Sequence, residues 1–259
     1  MNNKINRTGE RRINNFGSKM VIIEYRTNRD IDVYFTEYDW TAKNRRYDNF
    51  KRGKISCPYE RSVFGVGYIG EGKYKCRENG KITRVYQTWH SMLQRCYSEE
   101  YHKRQPTYIG CEVCDEWHNF QNFAEWYENN YYEIEGETMA LDKDILFKHN
   151  KIYSPNTCIY VPQTINTLFA KCDRSRGKLV IGTSLDKNDK YQVHCSMINP
   201  KTGESKGKHL GTYETQEKGF EVYKYYKEKN IKEVADYYKE HIPQKLHNAM
   251  YEYEVEITD

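Results

Sequence analysis

"KYQVHCSMINPKTGESKGKHLGTYETQEKGFEVY", residues 190–223, decides how this chain is read. At its start Tyr191, Val193 and Cys195 alternate with Gln192, His194 and Ser196, the period-two pattern of a strand with one buried and one open face. The polar "NPKTGESK" (199–206) is a turn, and "GKHLGTYET" (207–215) returns as a second strand. "TQEKGFEVYKYYKEK" (215–229) then changes period, with Thr215 as N-cap and Phe220, Tyr223 and Tyr226 on one helical face. Upstream, "KLVIGTSL" (178–185) supplies one more strand, and downstream "IKEVADYYKEHIP" (231–243) reads as a further helix ended by Pro243. The expected order is three strands followed by helix.

Working outward, "SKMVIIEYR" (18–26) and "DIDVYFTEY" (30–38) are rich in β-branched and aromatic residues and flank the turn "TNRD". Ile31, Val33 and Phe35 fall on one face, Asp32 and Tyr34 on the other. The next stretch, "NRRYDNFKRGKISCPY" (44–59), interleaves five basic residues with Tyr47 and Phe50. Two readings stand: aromatic rings stacking on bases beside phosphate contacts, or a solvated turn with two core aromatics. Residues 61–80 carry five glycines and read as turns. "GVGYIG" lacks the strand-to-helix context of a phosphate-cradling loop. "TRVYQTWHSMLQRCY" (83–97) places Val85, Trp89, Met92, Leu93 and Cys96 at helical spacing, and "CDEWHNFQNFAEWYENN" (114–130) does the same with Trp117, Phe120, Phe123, Ala124 and Tyr127. Both stripes read as core.

The composition suits several small cores: 37% hydrophobic residues, with 25 Tyr, 9 Phe and 4 Trp providing rings that pack while keeping a polar edge. No apolar run reaches the roughly 18 residues of a membrane span, and "MNNKINRTGERR" is no secretory signal, so the expectation is a cytoplasmic protein with no membrane partner. The eight cysteines are irregularly spaced, which predicts free thiols. Cys111 and Cys114 form a single C-x-x-C, short of the four ligands of a structural zinc, so zinc is not expected. Charge is uneven: residues 1–60 hold 13 Lys/Arg against 8 Asp/Glu and residues 171–213 hold 9 against 4, whereas 214–259 hold 7 against 11. Two basic segments suit a polyanionic partner met at more than one place.

The segment 178–228, through Gly182, Lys190-Tyr191 and "HLGTYETQEKGFEVY", resembles the APETALA2-type DNA-binding domain. In that family the sheet enters the major groove. The resemblance therefore implies that Gln192, His194, Ser196, Lys208 and His209 face double-stranded DNA, with Lys187 and Lys190 at phosphate. Segment 84–169 resembles phage proteins of the HNH-endonuclease-like group, through "YQTWHSMLQRCY", "YIGCEVCDEW", "LDKDIL", "YSPNTC" and "VPQTIN" in that order. It implies a ββα module in which Asp142 and Asn156 hold a divalent metal, Mg²⁺, and Lys143 stands at the position of the histidine base. A lysine, with a reference pKa of about 10.4, would need to fall by roughly 3 units to accept a proton at neutral pH. Asp144 and His149 are the substitute bases.

The resulting expectation is an α+β protein: a basic β-module over 1–60, an HNH-like module over 61–170, and an APETALA2-type module with C-terminal helices over 171–259. It reads as a phage-type protein of the bacterial host cytoplasm that binds double-stranded DNA and carries a degenerate HNH-like module. The alternatives are a Mg²⁺-dependent nicking or homing endonuclease, and a phage protein that binds a host defence or transcription protein.

Overall fold

In the computed structural model residues 6–170 and 179–259 are described; Lys178 and the basic residues of 171–178 lie outside them. The chain combines helices with separate, mostly antiparallel sheets. It forms two compact units, one comprising the chain up to Asn129 with Ile152–Ser154, the other Asn130–Lys151 with Pro155–Asp259.

In the first unit, β1 (Arg11–Ile13), β2 (Lys19–Thr27), β3 (Asp30–Phe35) and β4 (Trp40–Arg45) form an antiparallel sheet in sequential order. The expected hairpin is β2–β3, and Ile31, Val33 and Phe35 are fully buried. On the opposite face Asp32 is not left to solvent. The Arg26 guanidinium donates to Asp30 and Asp32 at 2.7 Å each and holds both carboxyls below the usual range. The short α1 (Tyr47–Lys51) buries Tyr47 and Phe50 in the same core as Met20, Ile22 and Ala42. That core position excludes the base-stacking reading for these two rings.

The glycine-rich connector closes on the aromatic helices, with a small hairpin of β5 (Arg77–Glu78) and β6 (Lys81–Ile82). A Cβ on Gly67 would stand 2.4 Å from Leu93 Cδ1, so glycine there allows the loop to lie on the helix. That helix, α2 (Arg84–Tyr97), begins at Thr83, whose hydroxyl accepts the Tyr86 amide, and buries Trp89, Met92, Leu93 and Cys96. After α3 (Glu99–Arg104) and β7 (Glu112–Val113), the second aromatic stripe is split into α4 (Asp115–His118) and α5 (Phe120–Asn130). The break falls at Asn119, next to which the Phe120 amide donates to Tyr68 O instead of continuing a helix. Trp117, Phe120, Phe123 and Ala124 are nonetheless buried.

In the second unit β8 (Met139–Asp142) pairs antiparallel with β10 (Ile159–Pro162), followed by α6 (Gln163–Leu168); within the intervening loop β9 (Ile152–Tyr153) pairs in parallel with β7 as part of the first unit. Then β11 (Thr183–Leu185), β12 (Tyr191–Ile198) and β13 (Ser205–Tyr213) form a three-stranded antiparallel sheet, backed by α7 (Gln216–Tyr238) and followed by α8 (Gln244–Tyr251). The first strand is shorter than expected. Gly182 lies in the turn before it with φ +78°, and a Cβ there would stand 2.1 Å from the Tyr223 ring. The Thr215 N-cap is present, but the two expected helices are one of 23 residues. Asn230 sits where a break was expected, and its side chain both donates to Ile198 O and accepts from Ile198 N. The first half of α7 buries Val193, Cys195 and Tyr223. Its second half packs Ile231, Val234 and Ala235 with Ile145, Ile159, Val161 and Ile165.

Candidate nucleic-acid interface

The sheet of β11–β13 has two chemically different faces. Val193 and Cys195 point into the helix-backed core, while His194 and Ser196 are exposed and Gln192 is half-buried on the open face. Register extends that face across the sheet: Ser184 and Thr212 flank Gln192, His209 is opposite His194, and Gly207 is opposite Ser196. Ser184 and Thr212 were not anticipated. Their positions follow only once the strand pairing is known.

A β-bulge sets the positions in β13. Val193 pairs with Gly211 and His194 with His209, so Leu210 is the extra residue. Thr212 faces out opposite Gln192, and uninterrupted alternation from it would turn His209 inward. The bulge brings His209 back to the open face and puts Lys208 opposite the buried Cys195. Lys208 Nζ lies 4.7 Å from the centre of the Tyr226 ring on α7. Lys208, expected beside His209 on the open face, is therefore on the helix side, because adjacent strand residues point to opposite faces.

Lys187 and Lys190 are in the β11–β12 turn. There Asp186 accepts the Asn188 and Lys190 amides, which hold its carboxyl below the usual range. Lys190 Nζ pairs with Glu214 at 2.7 Å, and that contact raises its pKa. Lys187 and Lys201 are exposed at opposite ends of the sheet, in its two turns.

The acidic hairpin is organised differently from a metal site. Asp142, ending β8, accepts the amides of Asp144 (2.8 Å) and Ile145 (2.7 Å) on a single oxygen, which forms the turn after the strand. Burial and the neighbouring Asp144 push the Asp142 carboxyl up to about 6. Lys143 is buried; its ammonium donates to Asp144 Oδ2 (2.8 Å) and Asn150 O (3.1 Å), while Asn150 Nδ2 donates back to Lys143 O (2.6 Å). These contacts tie the Lys143 side chain into the hairpin. His149, at φ +64°, is exposed and directed to Glu256, 3.5 Å away. Asn156 is exposed in the turn before β10, and among the described residues it shares no hydrogen bond with Asp142.

The structure thus brings Asp142, Lys143 and Asp144 together and leaves His149 and Asn156 outside their hydrogen-bonded group. Magnesium asks for a near-octahedral set of oxygens. Here one carboxylate oxygen is engaged by two amides and the adjacent carboxylate by an ammonium, so the residues do not fit that ion.

Among the described residues one set of three His, Cys or acidic side chains converges, namely His149, Glu256 and Asp259. Lys148 Nζ already sits among them, 2.8 Å from Asp259 and 3.2 Å from Glu256. Cys111 is buried, and burial raises the half-buried Cys114 thiol. The neighbouring His118 is held between Asp115 (3.6 Å) and the Tyr97 hydroxyl (3.3 Å). Comparison with protein-family models, curated proteins and solved structures found no match, so the functional reading rests on this geometry and on the motifs themselves.

Proposed function

We propose that this chain binds double-stranded DNA with the open face of β11–β13, and that the β8–β10 hairpin serves as structure. The observation that carries the reading is the open face itself: Ser184, Gln192, His194, Ser196, His209 and Thr212 form a polar, uncharged surface between turns carrying Lys187 and Lys201. Three strands spaced about 4.8 Å apart make a blade about 10 Å wide, within the roughly 12 Å major groove. Glutamine, serine, threonine and imidazole groups can donate to or accept from base edges, while lysines at the ends meet phosphate. Helix α7 stiffens the blade from behind without occupying the reading face. The resemblance to APETALA2-type domains supports the same orientation, and with the HNH-like motifs it favours a phage-type DNA-binding protein.

Lys143 argues against the endonuclease alternative, because its ammonium occupies the cation position beside Asp142 and Asp144. Incubation with supercoiled plasmid in Mg²⁺ or Mn²⁺, read together for retarded migration and nicked product, tests this reading. Retardation with the plasmid left supercoiled is the expected result. Efficient nicking would establish the endonuclease instead, and neither effect would leave DNA out of the function.

A further inference from the structure

His194 and His209 are the two imidazoles of the β11–β13 sheet, and the bulge at Leu210 places them directly opposite each other on its open face. His194 donates its backbone N–H to Gly182 O at 2.9 Å, on the β11 side. Its pairing with His209 is therefore of the closer, non-hydrogen-bonded kind, in which facing side chains approach most nearly. The ring centres are 4.8 Å apart with planes inclined by 51°, and both residues are exposed.

We propose that His194 and His209 form a two-imidazole site for a divalent late transition metal, of the Ni²⁺, Cu²⁺ or Zn²⁺ class. Two imidazole nitrogens bound in cis to one such ion, at about 2.0–2.1 Å each, put the ring centres about 4.5–5 Å apart. The observed spacing already lies in that range, so little backbone adjustment is required. Imidazole is the favoured neutral donor for these ions, whereas the hard cations Mg²⁺ and Ca²⁺ prefer oxygen. Among the described residues no ammonium is paired with either ring, in contrast to the His149 cluster, where Lys148 fills the cation position. The outward face leaves the remaining coordination positions to water, which makes this an open, exchangeable site. Only a neutral imidazole ligates, so protons compete with the ion for the site. The site rests on strand register and ring spacing, and stands or falls independently of DNA binding.

Calorimetric titration of the full chain with Ni²⁺ at pH 7.5 tests it, because nickel competes less than zinc for the cysteine thiols. The expected result is one saturable equivalent, with the dissociation constant raised about tenfold or more (about 1.4 kcal/mol) by His194→Ala and by His209→Ala separately. His102→Ala, on α3 rather than on the sheet, should leave it unchanged. In ¹H–¹⁵N spectra of the parent, Ni²⁺ should broaden the His194 and His209 signals before those of the other histidines. A parent that takes up no nickel, or single variants that bind it as the parent does, would overturn the assignment.

Discussion

Lys143 shows how one buried side chain ties a hairpin together. Its ammonium bonds Asp144 and the Asn150 carbonyl from a buried position, so shortening it removes both contacts and leaves polar groups unsatisfied. Lys143→Ala should lower the unfolding free energy by about 1–3 kcal/mol, measured by urea denaturation; an unchanged midpoint would mean that the contacts are not maintained in solution. Asp142 gives a pH-dependent signature. With its folded pKa raised to about 6 above an unfolded value near 3.9, the protonated form is favoured by folding, and that stabilisation is lost as pH rises through 6. Asp142→Asn cannot ionise, so its stability relative to the parent should improve by up to about 3 kcal/mol between pH 4 and pH 7. Parallel stability curves for the two proteins over that range would contradict the burial of this carboxyl. The Asp142-Lys143-Asp144 cluster was legible in the sequence, whereas the pairing of His149 with Glu256 was not, because Glu256 is distant in the chain.

At the level of elements, close approach between sheet and helix depends on glycine. Gly182 adopts a left-handed φ and faces the Tyr223 ring, and a Cβ on Gly219 would come within 2.9 Å of Val193 Cγ2. Gly182→Ala should therefore cost about 2–4 kcal/mol through backbone strain and overpacking, read by thermal or urea unfolding. A loss below about 0.5 kcal/mol would show that the ring moves aside freely. Local pattern foretold much of this architecture: the Ile31-Val33-Phe35 face, the Thr215 cap, and the buried alternation of Val193 and Cys195 all follow from spacing and side-chain chemistry. The bulge did not follow from it. Strict alternation separates Lys208 from His209, and which of them faces outward depends on Leu210, a residue that reads as ordinary strand. The length of α7 was hidden for a related reason. Asn230 suggests a boundary, but its amide is engaged by the backbone of Ile198 on a different element.

For the molecule as a whole, the basic residues of the N-terminal sheet are a second candidate contact with phosphate. Arg11 and Arg12 are exposed on the edge strand β1. If they neutralise phosphate, replacing both with Ala should reduce the slope of log affinity against log salt by about 2, roughly 1 per charge. An unchanged slope would remove this sheet from the DNA interface. Base recognition is assigned to the β11–β13 sheet, and it is tested by the affinity of the Gln192→Ala, His194→Ala, His209→Ala triple variant for a duplex selected by the parent. These side chains lie on the open face and leave the Val193–Cys195–Tyr223 core intact, so circular dichroism should be unchanged. With about 1–3 kcal/mol for each base contact, specific affinity should fall by two orders of magnitude or more while non-specific binding persists. A folded triple variant that binds the selected duplex as tightly as the parent would contradict the account.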